Sequence, residues 1–258
     1  SHLELHVRSA DRDLHSGSYG GAVHNPIQAL CTMIAHLHDE EGRVAVPGFY
    51  DAVRVLSPEE RAEMGRVPYG EAELLSETGA RAAWGDPDYT VNERLSARPT
   101  LELNGIWGGF QGEGAKTVLP ARAGAKISMR LVPDQDPWEM ARLVSDHLHA
   151  IAPPTVEVEV RELHHGHGAI VPLDSPAMQS ASEAYEEVFG TRPIFVRSGG
   201  SIPVVSGFQQ LLGLDTVMMG FGLPDDNLHA PNEKFNMEMY HKGIETVITF
   251  YQKLGQSG

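Results

Sequence analysis

The residues best suited to chemistry in this 258-residue chain lie in a loop near its C-terminal end. It reads Val217-Met-Met-Gly-Phe-Gly-Leu-Pro-Asp-Asp-Asn-Leu-His229-Ala-Pro-Asn-Glu233. An apolar run ends in a turn carrying two carboxylates, a histidine and a glutamate, and a helical pattern follows. In α/β sheets ligands sit beyond the C-terminal ends of strands, and a neutral imidazole there is a common zinc ligand. One histidine cannot by itself hold a catalytic metal, so the loop needs ligands from elsewhere. Two further side chains have a chemical use. Arg130, on the polar side of a strand pattern, carries a planar guanidinium that can grip a carboxylate through two parallel hydrogen bonds. His15, in the glycine-rich turn Asp11-Arg-Asp-Leu-His15-Ser-Gly-Ser-Tyr-Gly-Gly21, can project from the body of the protein.

Several classes of function are excluded. A net charge of -15 and a pI near 5.2 argue against nucleic acid and anionic membranes as partners. No apolar run reaches bilayer length and no signal peptide is visible, so the expected location is the cytoplasm. The single cysteine, Cys31, allows no internal disulfide and is expected as a small core residue. The chain opens directly on a strand pattern, which reads as a piece of a longer protein.

The elements that must position these groups follow from periodicity. Leu3, Leu5 and Val7 alternate with polar residues as a half-buried strand. Asn25-Pro26 caps a helix reaching about His38, with Ile27, Leu30, Ile34 and Leu37 on one face. Residues 42–98 read as an insertion of short helices and loops, one starting at Ser57-Pro58-Glu59-Glu60. Thr100 to Asn104 is a strand, and Gly105 to Pro120 a glycine-rich loop without the spacing of a nucleotide-binding loop. Ala123 to Val132 is a strand with Ala125, Ile127, Met129 and Leu131 on one side. Asp136 caps a helix through Ile151, and Val156, Val158 and Val160 mark a fourth strand. This strand–helix–strand–strand–helix–strand order is the split βαβ, ferredoxin-like arrangement.

Beyond it, the histidines at 164, 165 and 167 lack a regular ligand spacing and read as a hinge. Ser175 to Gly190 is a helix. Ile194 to Val196 and Val217 to Phe221 are expected as strands, and Asn236 caps a helix whose apolar side is Tyr240, Ile244, Val247, Ile248, Tyr251 and Leu254. Two strands are few for a sheet, so this tail reads as an incomplete piece of an α/β domain.

Taken together, Asp13-Leu-His15-Ser-Gly17 with Gly20-Gly21, Gly105-Ile-Trp-Gly-Gly, Gly114-Ala-Lys-Thr117-Val-Leu-Pro120, Ser128-Met-Arg130-Leu-Val-Pro-Asp-Gln135, Gly199-Gly-Ser201-Ile-Pro-Val and His229-Ala-Pro-Asn-Glu233 resemble the metallopeptidase M20 family. The likeness is greatest to its carnosinase-type dipeptidase branch. The resemblance implies a ferredoxin-like lid and dimerisation domain over residues 1–163, followed at 164–258 by the C-terminal part of a zinc-peptidase catalytic domain. The metal-binding N-terminal part would be absent. It implies two Zn2+ ions in the complete enzyme, with Mn2+ or Co2+ as substitutes, not fully bound by this chain. The substrate would be a dipeptide or related small amide, and the lid would make a homodimer.

By the same resemblance His229 is a metal ligand; Asp226 and Glu233, which flank it, read as stabilising its loop or orienting a neighbour. Arg130 holds the substrate's C-terminal carboxylate. His15 reaches across the dimer to the oxyanion in the partner's site, and Thr117 contacts substrate from the same lid. Gly200 and Ser201 line the pocket. Ser198 stands where the family often has Glu. Two other readings stay open: a non-catalytic dimerisation fragment, and an amidohydrolase of the same family acting on N-acyl or N-carbamoyl amino acids. The pairs Glu40-Glu41, Glu59-Glu60 and Glu186-Glu187 read as solvated charge.

Overall fold

The computed structural model describes residues 1–197 and 203–256, so Ser198, Gly200 and Ser201 lie outside the described residues. In chain order the elements are β1 (His2–Arg8), β2 (Leu14–His15), α1 (Ser16–Tyr19), α2 (Pro26–Ala35), α3 (Pro58–Met64), α4 (Glu71–Thr78), α5 (Val91–Ser96), β3 (Thr100–Gly108), β4 (Val118–Leu119), β5 (Arg122–Arg130), α6 (Pro137–Ile151), β6 (Glu157–His164), α7 (Pro176–Phe189), α8 (Pro203–Gly207) and α9 (Met237–Gln256). The described residues fall into two compact units, one of residues 1–168 with 196–197 and 203, the other of 169–195 with 204–256.

The first unit is built on an antiparallel sheet ordered β3-β5-β1-β6. With α2 after β1 and α6 after β5, this is the ferredoxin-like order expected from the sequence. Leu3, Leu5 and Val7 on β1 and Ala123, Ala125, Ile127 and Met129 on β5 point to the same face. There they meet Leu30, Met33 and Leu37 from α2 and its exit, and Met140, Val144 and Leu148 from α6. Each fully buried Leu contributes roughly 1.5–3 kcal/mol. Local capping fixes where the helices begin. Asn25 accepts the Ile27 N–H, Ser57 and Glu60 close a reciprocal capping box, and Asp136 accepts the N–H groups of Trp138 and Glu139.

Three expectations change. Strand β3 runs on through Gly105–Gly108, with its register shifting between Leu103 and Gly105. Trp107 lies across from Gly124, where an added Cβ would sit 2.2 Å from the indole Cζ2, so the strand needs a glycine opposite. Helix α2 ends at Ala35, before His38. Cys31 is exposed, because the core face of α2 is Ala29, Leu30 and Met33, and residue 31 points about 100° away from Leu30.

The insertion carries α3, α4 and α5, of which α3 and α5 meet at a small core of Leu56, Met64 and Ala97. Polar contacts do much of its packing. The Arg98 guanidinium lies between the Tyr50 and Tyr89 rings at 4.4 and 4.3 Å, and buried Asp86 meets Arg43 at 3.1 Å.

The second unit pairs α7 with α9 through Ala181, Ala184 and Phe250, with Val217 and Met219 packed beside them. Neither Ile194–Val196 nor Val217–Phe221 forms a strand; both run as irregular backbone, and Val196 is 62% exposed. A strand exists by hydrogen-bonding to a neighbouring strand, and no described segment pairs with either of them in a sheet. No helix among the described residues is long and apolar enough to cross a membrane.

Candidate functional site

The turn joining β2 to α1 brings two of the expected site residues together. β2 pairs with β4, setting His15 opposite Val118, and the Ser16 N–H donates to the Thr117 carbonyl at 3.1 Å. Asp13 anchors the turn by accepting the Ala121 N–H at 2.9 Å. Both His15 and Thr117 are exposed. The His15 Nδ1 accepts the Gly17 N–H at 3.1 Å, and the Ser18 hydroxyl is 3.5 Å away. A neutral ring whose Nδ1 accepts carries its proton on Nε2. The outer nitrogen is therefore a donor facing solvent. Gly17 permits this, since a Cβ there would come 2.8 Å from the imidazole Cε1. An open groove of about 380 Å³ lies beside the turn, bounded by Asp13, Trp107, Gln111 and Arg122; His15 and Thr117 do not line it.

Arg130 ends β5, and its side chain is exposed. His15 sits at the other end of the sheet, beyond Arg8 and Arg122, which are paired with each other. The nine residues of β5 span ~27 Å at about 3.4 Å per residue. An extended dipeptide reaches only about 7 Å. Within one chain, then, His15 and Arg130 cannot touch the same dipeptide.

His229 lies in the second unit, on the loop after the short 3-10 turn Pro224–Asp226. It is exposed, its side chain makes no hydrogen bond to a described residue, and its backbone is left-handed at φ 60°. Both ring nitrogens are thus open, which fits the part of a single metal ligand. A complete set is not present: no group of three or more His, Cys, Asp or Glu that could hold a metal comes together among the described residues. Next to it the exposed Asp225 accepts a hydrogen bond from Lys234 Nζ at 2.8 Å, which holds its carboxyl below the usual range and raises the lysine. Glu233 is exposed.

The other motifs are taken up structurally. His165 is bonded to the Ser1 hydroxyl at 2.7 Å and to Glu162 at 3.1 Å, and Trp138 lies against both His165 and His167. His2 and His164 stack at 4.2 Å. Glu60 closes its capping box and pairs with Arg197, and Glu187 meets Lys253 at 3.0 Å. Sequence reasoning missed the adjacency of His15 and Thr117, which rests on a two-residue strand pair that leaves no periodic signal.

Comparison with known proteins gives a consistent result. Residues 1–156 match the family model M20 dimer, described as a peptidase dimerisation domain. The chain is 34% identical over 257 residues to the Cys-Gly metallodipeptidase dug1 of Schizosaccharomyces pombe, covering 98% of this chain and 54% of that protein. It is 30% identical to the human Beta-Ala-His dipeptidase, covering 99% of this chain and 51% of the relative. Among solved structures, the di-peptidase Dug1p of Saccharomyces cerevisiae superposes with a TM-score of 0.87 at 29% identity, covering 99% of this chain and 54% of that one. Human carnosine dipeptidase 1 superposes with a TM-score of 0.85 at 30% identity, covering 99% and 55%. The chain thus spans about half the length of the curated relatives it matches.

Proposed function

We propose, because this chain belongs to the M20 metallopeptidase family and to its carnosinase-like dipeptidase branch, that it is the substrate-holding half of a metal-dependent dipeptidase. Residues 1–163 act as the lid and dimer contact, and residues 164–258 supply part of the catalytic domain. The whole protein hydrolyses peptides with a free C-terminal carboxylate and works in the cytoplasm. Two zinc ions, when bound, would polarise the scissile carbonyl and make hydroxide available near neutral pH. His229 contributes one ligand to them. The 258-residue chain alone is inactive on this reading, because the remaining metal ligands come from outside it.

The chain's own residues bind, orient and stabilise. Arg130 grips the carboxylate in two parallel hydrogen bonds and fixes the register of the peptide. His15 presents its Nε2–H to the oxygen on which negative charge develops as the peptide carbon becomes tetrahedral. Thr117, joined to the same turn, contacts the substrate beside it, and Gly200 and Ser201 line the pocket. The observation that carries this assignment is the ~27 Å between the ends of β5. Arg130 and His15 can serve one peptide only if they come from different chains, which is what a lid-mediated homodimer provides.

The test is complementation in the full-length protein. His15→Ala should cut kcat by about 10²–10³-fold, the cost of one oxyanion donor, and His229→Ala should abolish metal-dependent turnover. Mixed dimers of the two variants should regain activity, because one site in each pair has an intact His229 and receives an intact His15. Verified mixed dimers that stay inactive would overturn the cross-dimer assignment. Arg130→Met should raise KM for free dipeptides and leave C-terminally amidated ones unaffected.

A further inference from the structure

Only four described residues other than glycine have a positive φ, and three of them lie within six positions: Asn227 at 54°, His229 at 60° and Asn232 at 62°. Left-handed backbone costs a residue with a Cβ about 1–2 kcal/mol, least for Asn, so at His229 the surroundings must help to impose it. His229 itself supplies no restraint, since its side chain is exposed and unbonded to any described residue. The restraint lies at the base of the loop. Asp226 is 1% exposed. Its carboxylate accepts the Leu223 N–H at 2.7 Å and faces Lys234 Nζ at 3.3 Å. Its backbone carbonyl accepts the Lys234 N–H at 3.0 Å. Residues 226 and 234 are therefore joined twice, by main chain and by side chain, and the seven residues between them form a closed loop. Inside it the Ala230 N–H donates to the Asn227 carbonyl at 3.0 Å.

We propose that Asp226, with Lys234, is a positioning pair that holds this loop shut and thereby keeps His229 left-handed with its imidazole presented outward. The pair does not touch the metal. It acts through the backbone, as groups behind a metal ligand do when they fix its orientation. The two acidic neighbours differ in kind: Asp225 is exposed and bonded only to Lys234, whereas Asp226 is enclosed and caps the 3-10 turn. The proposal rests on the reading of His229 as a metal ligand, and its test separates the two.

The metal-free readout is amide hydrogen exchange in the 258-residue chain at Leu223, Ala230 and Lys234. Asp226→Ala should speed exchange at all three by at least about tenfold, with α7 and α9 amides unchanged. Asp226→Asn, which keeps an acceptor for the Leu223 N–H, should restore protection there and lose it at Lys234. Lys234→Met removes only an exposed partner and should keep the thermal midpoint while loosening the Lys234 end. It decides the matter if Asp226→Ala fails to fold. In the full-length protein, zinc affinity should fall by about 10–100-fold in the same variants. Unchanged exchange in both Asp226→Asn and Lys234→Met would overturn the positioning role. If those variants loosen the loop while His229→Ala leaves zinc affinity intact, the ligand reading fails and the loop inference stands. His229→Ala that loses zinc with loop protection preserved supports both.

Discussion

Helices α6 and α9 are both amphipathic, and their apolar faces end in different surroundings. α6 lays Met140, Ala141, Val144 and Leu148 onto the four-stranded sheet, and all four are buried. α9 packs on α7 through Phe250, with Gly243 and Thr246 also buried, while Ile244, Val247, Ile248 and Tyr251 stay between 37% and 66% exposed. An apolar stripe states which way a helix must face. Whether it is buried depends on what other elements the chain provides. In the first unit the sheet is there to receive it; in the second no described strand is.

The largest expected contrast comes from truncating one residue on each helix. Leu148→Ala should cost about 2–5 kcal/mol, since a fully buried leucine leaves a cavity behind. Ile248→Ala, at 53% exposure, should change stability by no more than about 0.5 kcal/mol. Chemical denaturation of both variants checks the pair. Comparable losses would mean that α9 is covered in solution and that the two regions are alike.

That contrast also explains what could be read from the residues. Five caps were legible, and the Thr90 cap of α5 was not: Asn25, Ser57, Asp136, Ser175 and Asn236 each satisfy N–H groups within three positions, so nothing distant is required. The strands of the first unit were legible because their partners lie in the same chain and one buried face enforces alternation. Gly105–Gly108 was hidden, because glycines carry no pattern and its signal is the demand for Gly124 opposite Trp107. The strands expected at 194–196 and 217–221 failed for want of a neighbour. At the site, residue types pointed to His15, Arg130 and His229. The separation of the first two depends on sheet register, and the closed loop around the third depends on left-handed φ values, neither of which composition reveals.

Glycine substitutions sharpen the comparison at a smaller scale. Gly124→Ala would push a Cβ into the Trp107 ring and to 2.7 Å from the Leu5 carbonyl, a clash expected to cost about 1–3 kcal/mol. Gly207, at the end of α8, has helical φ and ψ and nothing within 4 Å of an added Cβ. Gly207→Ala should be neutral or stabilise by about 0.4–1 kcal/mol through the unfolded chain. Thermal melts of the two variants should move in opposite directions. A shift of the same sign and size would remove the packing difference between sheet and tail.

The smallest effect is one for which the two regions should agree. Glu159 in the first unit is held below the usual carboxyl range by its hydrogen bond from Arg161, and Asp225 in the second by its hydrogen bond from Lys234. Both are exposed, so solvent rather than the surrounding fold governs the pairs. A carboxylate depressed in the folded state adds stability that is present above its unfolded pKa, near 4, and is lost as pH falls through the lower folded value. The window is therefore acidic for both. Carboxyl carbon chemical shifts followed by NMR should show each group titrating low, with Arg161→Met and Lys234→Met returning their partners upward. Raising the salt to about 1 M, where the screening length is roughly 3 Å, should weaken both shifts equally. A salt-resistant Asp225 beside a salt-sensitive Glu159 would show that the tail loop is shielded from solvent, and the exposed face assigned to the second unit would then be covered.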